Sequence, residues 1–165
     1  MINGQLYRDM VISAANSIEN EKEAINALNV FPVPDGDTGL NMSLTMQAAR
    51  AAMLNNNEEL SKCSDTVAGA LLRGGRGNSG VILSLFFRGV SKGLKGLTEA
   101  GPAEMAKAFR GGVDSAYKAV RHPTEGTILT VMRVCTAAGE GYAAGEDTNV
   151  AEILSFPVKM EKSEG

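Results

Sequence analysis

A chain of 165 residues has the length of one domain, and a domain of that size buries about 70% of its unfolded surface, so it needs no disulfide or metal staple to fold. Hydrophobic residues make up 44% and charged residues 21%, as in ordinary globular proteins, and the net charge of −3 speaks against a general nucleic-acid-binding surface. A single histidine and the absence of a CxxC pair argue against structural zinc, and Cys63 and Cys135, far apart on apolar stretches, read as reduced core residues.

The N-terminus "MINGQLYRDMVISAANSIEN" is interrupted by charges and lacks an apolar signal core, and no stretch is long enough to span a membrane. The cytoplasm is the expected compartment. From there helix follows helix. Leu6, Met10, Ala14, Ile18, Ile25 and Leu28 recur at three- and four-residue spacing and predict one long amphipathic helix. A second runs from about Asn41 to Leu54, with Met42, Met46, Ala49 and Met53 on one face. A third carries Leu60, Cys63, Val67 and Leu71 and ends at "RGGRGNSG". The fourth is "VILSLFFRGV", followed by "SKGLKGLTEAGP" as a loop. Met105, Phe109, Val113, Ala116 and Val120 stripe a fifth, "RHPTEG" breaks the chain, and "TILTVMRVCTAAGEGY" is the sixth. "NVAEIL" begins a seventh. No alternating apolar run is long enough for a strand. The expected fold class is all-α, with one domain over 1–155 and a polar, disordered tail over 156–165.

Three breaks between helices are rich in residues that bind anions or metals: "PDGDTGLN", "GGRGNSG" and "HPTEGT". They precede the second, fourth and sixth helices. In an up-and-down arrangement every second connection lies at the same end, so all three should meet there. In the first, Asp35 and Asp37 have Cα atoms at most about 7 Å apart, so both carboxylates can reach one ion or two neighbouring ions. Gly36 and Gly39 relax the backbone, Pro32 and Pro34 rule out helix, and Asn29 offers a neutral oxygen. The alternative is a solvated turn in which Asp37 or Thr38 caps the second helix. An EF-hand beginning at Asp35 would require glycine at Leu40 and glutamate at Met46, and fails. A phosphoaspartyl nucleophile motif would require a buried strand beforehand, which "VFPVP" cannot supply.

The second break is a glycine-rich turn into a helix whose N–H groups suit phosphate, with Arg76, Asn78 and Ser79 as further donors. It lacks the GK[ST] of a Walker loop, and a plain pair of helix caps would also account for it. In the third break Thr124 reads as an N-cap, and His122 as a loop residue without a chemical role.

Taken together, "NVFPVPDGDTGLNMSLTM", "GGRGNSGVILS" and "HPTEGTILTVM" resemble the nucleotide-binding domain of the dihydroxyacetone kinase L-subunit (DhaL) family. Within it they are more similar to the N-terminal domain of bacterial fatty acid kinase catalytic subunits. The resemblance implies an antiparallel up-and-down helical barrel binding ATP or ADP at one end, with two Mg²⁺ ions held by Asn29, Asp35 and Asp37. It assigns Thr38 and Asn41 to phosphate or metal-bound water, Gly77, Asn78 and Ser79 to phosphates, and Gly126 and Thr127 to the base and ribose side. Asp35 and Asp37 would thereby carry catalysis. Asn29 departs from the dihydroxyacetone branch, which is similar but has aspartate there and a shorter loop. The implied activity is a kinase transferring the γ-phosphoryl group to a fatty acid presented by a DegV-like fatty-acid-binding carrier protein. A dihydroxyacetone (glycerone) kinase-type subunit and a non-catalytic nucleotide-binding module are the alternatives. The family domain continues for two further helices, so the barrel is expected to be truncated at its C-terminal end.

Overall fold

The computed structural model of the chain describes residues 1–29, 35–124 and 126–144, with Tyr142 by its backbone alone. Among the described residues six helices carry the fold: α1 (Gly4–Leu28), α2 (Thr38–Met53), α3 (Leu60–Gly74), α4 (Gly77–Gly93), α5 (Pro102–Ala119) and α6 (Ile128–Ala143). The fold class is all-α, as expected. One feature was not legible: β1 (Ile2–Asn3) pairs antiparallel with β2 (Glu99–Ala100), Ile2 opposite Ala100. Two residues per strand are too few for alternation to register in a sequence. The seventh helix expected at "NVAEIL" and the expected tail 156–165 lie outside the described residues.

Helix starts follow local chemistry. Asn3 caps α1, its Oδ1 accepting the Leu6 N–H at 2.9 Å. Pro102 opens α5, where a missing N–H costs nothing, and Glu104 in the first turn complements the helix dipole. α2 begins at Thr38, three residues before the expected start, and α4 at Gly77, four before Val81. α4 also runs on through Ser91, Lys92 and Gly93, which were expected to be loop. Glycine is a poor helix former, but packing overrides propensity here. A β-carbon at Gly89 would stand 2.5 Å from the Gly111 carbonyl oxygen, and one at Gly112 would stand 2.7 Å from the Phe86 carbonyl oxygen. Small residues let α4 and α5 approach backbone to backbone.

Consecutive helices pack side by side along the series, with α1 also touching α3 and α2 touching α4. The core is drawn from Met46, Ala49 and Met53 of α2, Leu60, Cys63, Val67 and Leu71 of α3, Leu83 and Val90 of α4, and Met105, Ala108, Val113 and Ala116 of α5. In α1 the buried face is shifted from the expected stripe. Tyr7, Val11 and Ala15 are buried, Met10, Ala14 and Ile18 flank them, and Leu6 and Leu28 are exposed. No α1 residue after Ala15 is fully buried, and in the second half of that helix Asn26 and Glu19 accept hydrogen bonds from the Leu40 N–H and the Ser43 hydroxyl of α2. Glu19 hydrogen-bonds both Ser43 and Lys22, which hold its carboxyl below the usual range, Lys22 first.

The connections sort to two ends. At one end the β1–β2 pair, the start of α1 and the α2–α3 and α4–α5 connections meet: the Ser61 N–H donates to the Leu97 carbonyl at 3.0 Å, and the Gly96 N–H to Ser61 Oγ at 2.9 Å. The α1–α2, α3–α4 and α5–α6 connections are brought together elsewhere, around a cleft.

Candidate functional site

All three motif-bearing connections line this cleft, which has a volume of about 630 Å³. Asn29, Asp35, Asp37, Thr38 and Asn41 come from the first, Gly77, Asn78 and Ser79 from the second, and Thr127 from the third. Of the expected site residues only Gly126 is outside the wall. It is exposed, adopts φ +82°, and donates its N–H to Thr130 Oγ1 at 2.8 Å, so it shapes the turn into α6.

The start of α2 is capped from outside its own sequence neighbourhood. Asn29 Oδ1 accepts the N–H groups of Asp37 and Thr38 at 3.2 and 3.3 Å, and Asn26 Oδ1 accepts that of Leu40 at 3.0 Å. Gly39 permits this contact, since a β-carbon there would collide with the Lys22 carbonyl. Asp37 occupies the N-cap position but makes no side-chain capping bond. The alternative of an aspartate or threonine cap is therefore corrected: two asparagines of α1 and its end do that work. Among the described residues neither the Asp35 nor the Asp37 carboxylate has a hydrogen-bond or ion-pair partner. Asp35 is exposed and Asp37 half-buried.

Two carboxylates, the amide oxygens of Asn29 and Asn41 and the Thr38 hydroxyl form an all-oxygen donor set that suits a hard cation such as magnesium. Among the described residues no group of three or more His, Cys, Asp or Glu converges, so protein charge alone would leave two such ions undercompensated. Asn29 is the qualified member of the set. Its oxygen is already engaged with two backbone donors and would have to share or exchange them.

The start of α4 is the opposite case. Arg76 at its N-cap makes no side-chain capping bond, and the first N–H returned to the backbone is that of Gly80, to the Arg76 carbonyl at 3.1 Å. The N–H groups of Gly77, Asn78 and Ser79 are the orphan donors of a helix N-terminus, and these three residues line the cleft. Gly77, at φ +65°, turns the chain into the helix; a β-carbon there would lie 2.5 Å from the Asn41 amide nitrogen.

At the third connection α6 is capped by Thr127, not Thr124. Thr127 Oγ1 accepts the Leu129 N–H at 3.3 Å and donates to the Thr124 carbonyl at 2.7 Å. Thr124 lines the cleft, and so does His122, which sequence reasoning left without a place. Also missed was the apolar wall formed by Val81, Ile82 and Leu85 of α4 with Val120, Ile128 and Leu129. Periodicity assigns such residues to a core, and only the 51% exposure of Val81, which no sequence pattern reveals, marks the difference. Away from this connection, Arg110 in the middle of α5 forms an ion pair with Glu140 near the end of α6.

No helix among the described residues is long and apolar enough to cross a membrane. Comparison with known proteins gives consistent relatives. An uncharacterized protein of Staphylococcus haemolyticus is 43% identical over 164 residues, covering 98% of this chain and 30% of its own length. Uncharacterized proteins of Staphylococcus saprophyticus and of Staphylococcus aureus strain USA300 are 46% and 47% identical, covering 94% and 98% of this chain and 28% and 30% of their own. The chain thus spans about 30% of the length of these relatives. Residues 32–162 match the DAK2 domain, so the chain belongs to the DAK2 domain family, the nucleotide-binding modules like the dihydroxyacetone kinase L-subunit that are associated with kinases.

Proposed function

We propose that this chain is an ATP- and magnesium-binding kinase domain that transfers the γ-phosphoryl group to a substrate presented by a partner, a protein-bound fatty acid being the favoured acceptor. The observation that carries this reading is the cleft itself. It joins two aspartates without hydrogen-bond or ion-pair partners among the described residues, an uncapped helix N-terminus and an apolar wall. A nucleotide matches that order of chemistries, its base against Ile82, Leu85, Val120 and Ile128 and its phosphates between α4 and the aspartates.

Asp35 and Asp37, with Asn29, would hold Mg²⁺. When bound, magnesium would supply Lewis-acid neutralisation of phosphate charge. The chain's own residues position the anion: the Gly77, Asn78 and Ser79 N–H groups are preorganised donors, and Asn78 and Ser79 add side-chain donors. In the transfer, a carboxylate oxygen of the acceptor bonds to the γ-phosphorus as its bond to the β,γ-bridging oxygen breaks. ADP leaves with that electron pair and an acyl phosphate forms. A carboxylate acceptor is already ionised at neutral pH and requires no general base to deprotonate it. That favours a fatty acid over dihydroxyacetone, as does asparagine at position 29. The carrier protein, DegV-like by the family resemblance, and a cytoplasmic setting belong to the same proposal.

The test is ADP and ATP affinity by calorimetry with and without magnesium, in the native protein and in Asp37→Asn. Magnesium should tighten binding in the native protein, and Asp37→Asn should fall to near the magnesium-free affinity. Equal affinity in all four conditions would overturn the reading.

A further inference from the structure

The glycine-rich turn at α4 is fastened to α2 by one buried hydroxyl. Thr45, on the buried face of α2, is fully inaccessible. Its Oγ1 donates to the Asn41 carbonyl one turn earlier at 2.7 Å and accepts the Arg76 N–H at 2.9 Å. The first bond is local. The second crosses 31 residues of sequence and takes the N–H immediately before the orphan donors of α4.

The surrounding contacts repeat the theme. A β-carbon at Gly80 would collide with Thr45 Oγ1, one at Gly77 would press on the Asn41 side chain, and one at Gly74 would collide with the Ala48 methyl. Asn41, Thr45 and Ala48 stand at i, i+4 and i+7, one stripe of α2. Gly74, Gly77 and Gly80 are the matching recesses on the opposite side. The glycines of "GGRGNSG" therefore serve close packing as well as an open turn.

This geometry has a consequence for the cleft. Asn41 lies beside the proposed metal ligands, and Arg76 leads directly into Gly77, Asn78 and Ser79. Thr45 bonds the backbone of both. Rotating its hydroxyl away would take the acceptor from the Arg76 N–H in this part-buried bond and free the start of α4 to shift relative to Asp35 and Asp37.

We propose that Thr45 is a positioning residue for phosphate binding: its hydroxyl sets the spacing between the α4 N-terminus and the aspartate-bearing start of α2, without touching the ligand. The inference rests on the nucleotide-binding reading above. It requires that losing the hydroxyl weaken recognition of the phosphates while sparing recognition of the nucleoside part.

The experiment compares native protein, Thr45→Val, Thr45→Ser and Gly80→Ala for binding of ATP and of adenosine, both with magnesium, well below each variant's melting temperature. Valine keeps the volume and loses both hydrogen bonds; serine keeps both. Thr45→Val should lose about tenfold or more in ATP affinity and less than about twofold in adenosine affinity. Thr45→Ser should stay within about twofold of native for both. Gly80→Ala approaches the same contact from α4 by forcing a methyl group against Thr45, and should show the same phosphate-selective loss. It decides the matter if the valine variant does not fold. Equal losses for ATP and adenosine, or a serine variant as impaired as valine, would reduce Thr45 to a structural role and overturn the inference. Absence of ATP binding by the native protein would overturn the nucleotide reading instead, so the two failures are distinguishable.

Discussion

Position 77 has a left-handed backbone and faces the Asn41 amide, so a side chain there meets two separate penalties. Position 36 has φ +69°, nearly the same, but among the described residues the nearest atom to a β-carbon there is the Asn26 carbonyl oxygen at 4.0 Å. The pair separates backbone strain from steric displacement. Gly36→Ala should lose about 1 kcal/mol of unfolding free energy from the left-handed conformation alone. Gly77→Ala should lose more, about 2–3 kcal/mol, because Asn41 must also move. Urea unfolding of the two variants checks the order, and equal losses would show that Asn41 yields freely. At this scale the sequence was legible where chemistry is written in adjacent letters, as in Asp35-Gly36-Asp37. It was not legible for Asn26 and Asn29, whose capping bonds reach 8 to 14 residues across a turn. Nothing in residue spacing says that an asparagine at the end of one helix will cap the next.

Elements were legible in proportion to how completely they are buried. α3, covered by neighbours on its apolar side, follows its stripe of Leu60, Cys63, Val67 and Leu71. α1, covered by α3 only near its start, does not, and Tyr7 takes the inner position in place of Leu6. Where α1 meets α3 the contact carries two titratable groups. Cys63 Sγ lies 3.5 Å from the Gly4 carbonyl oxygen and 3.6 Å from Met53 Sδ, and burial pushes its thiol from 9.0 up to about 11. Burial likewise pushes the Tyr7 phenol upward, with Cys63 adding to the effect. Both groups are held protonated by the fold, so the unfolded chain releases protons first as pH rises. The sign follows: stability is complete below about pH 9, falls as the unfolded thiol ionises, and continues to fall towards pH 11. Cys63→Ala should show a shallower decline over that window, by about one proton's worth of slope, in urea unfolding at stepped pH. An unchanged slope would mean that the thiol is not protected at the α1–α3 contact.

The molecule as a whole keeps its strand pair apart from the end that carries the cleft. The parity of an up-and-down series placed the three motif loops together in advance, because short connections leave a helix bundle few other arrangements. The far end could not be read that way, since it depends on a two-residue strand pair and on bonds from Ser61 to a loop 35 residues away. Ile2 anchors that end: it is 1% exposed, pairs with Ala100 and joins the continuous core. Ile2→Ala should therefore cost about 2–4 kcal/mol of unfolding free energy, the usual loss for a large aliphatic side chain removed from a core. The cleft residues lie on the other three connections and on the parts of α4 and α6 that follow them, and share no hydrogen bond with β1 or β2 among the described residues. Nucleotide affinity measured well below the melting temperature should accordingly stay within about twofold of native. Chemical denaturation and calorimetry on the same preparation test both halves. A large loss of affinity with Ile2→Ala would mean that strain at the β1–β2 end is transmitted along the helices to the cleft, and that the two ends are a single cooperative device.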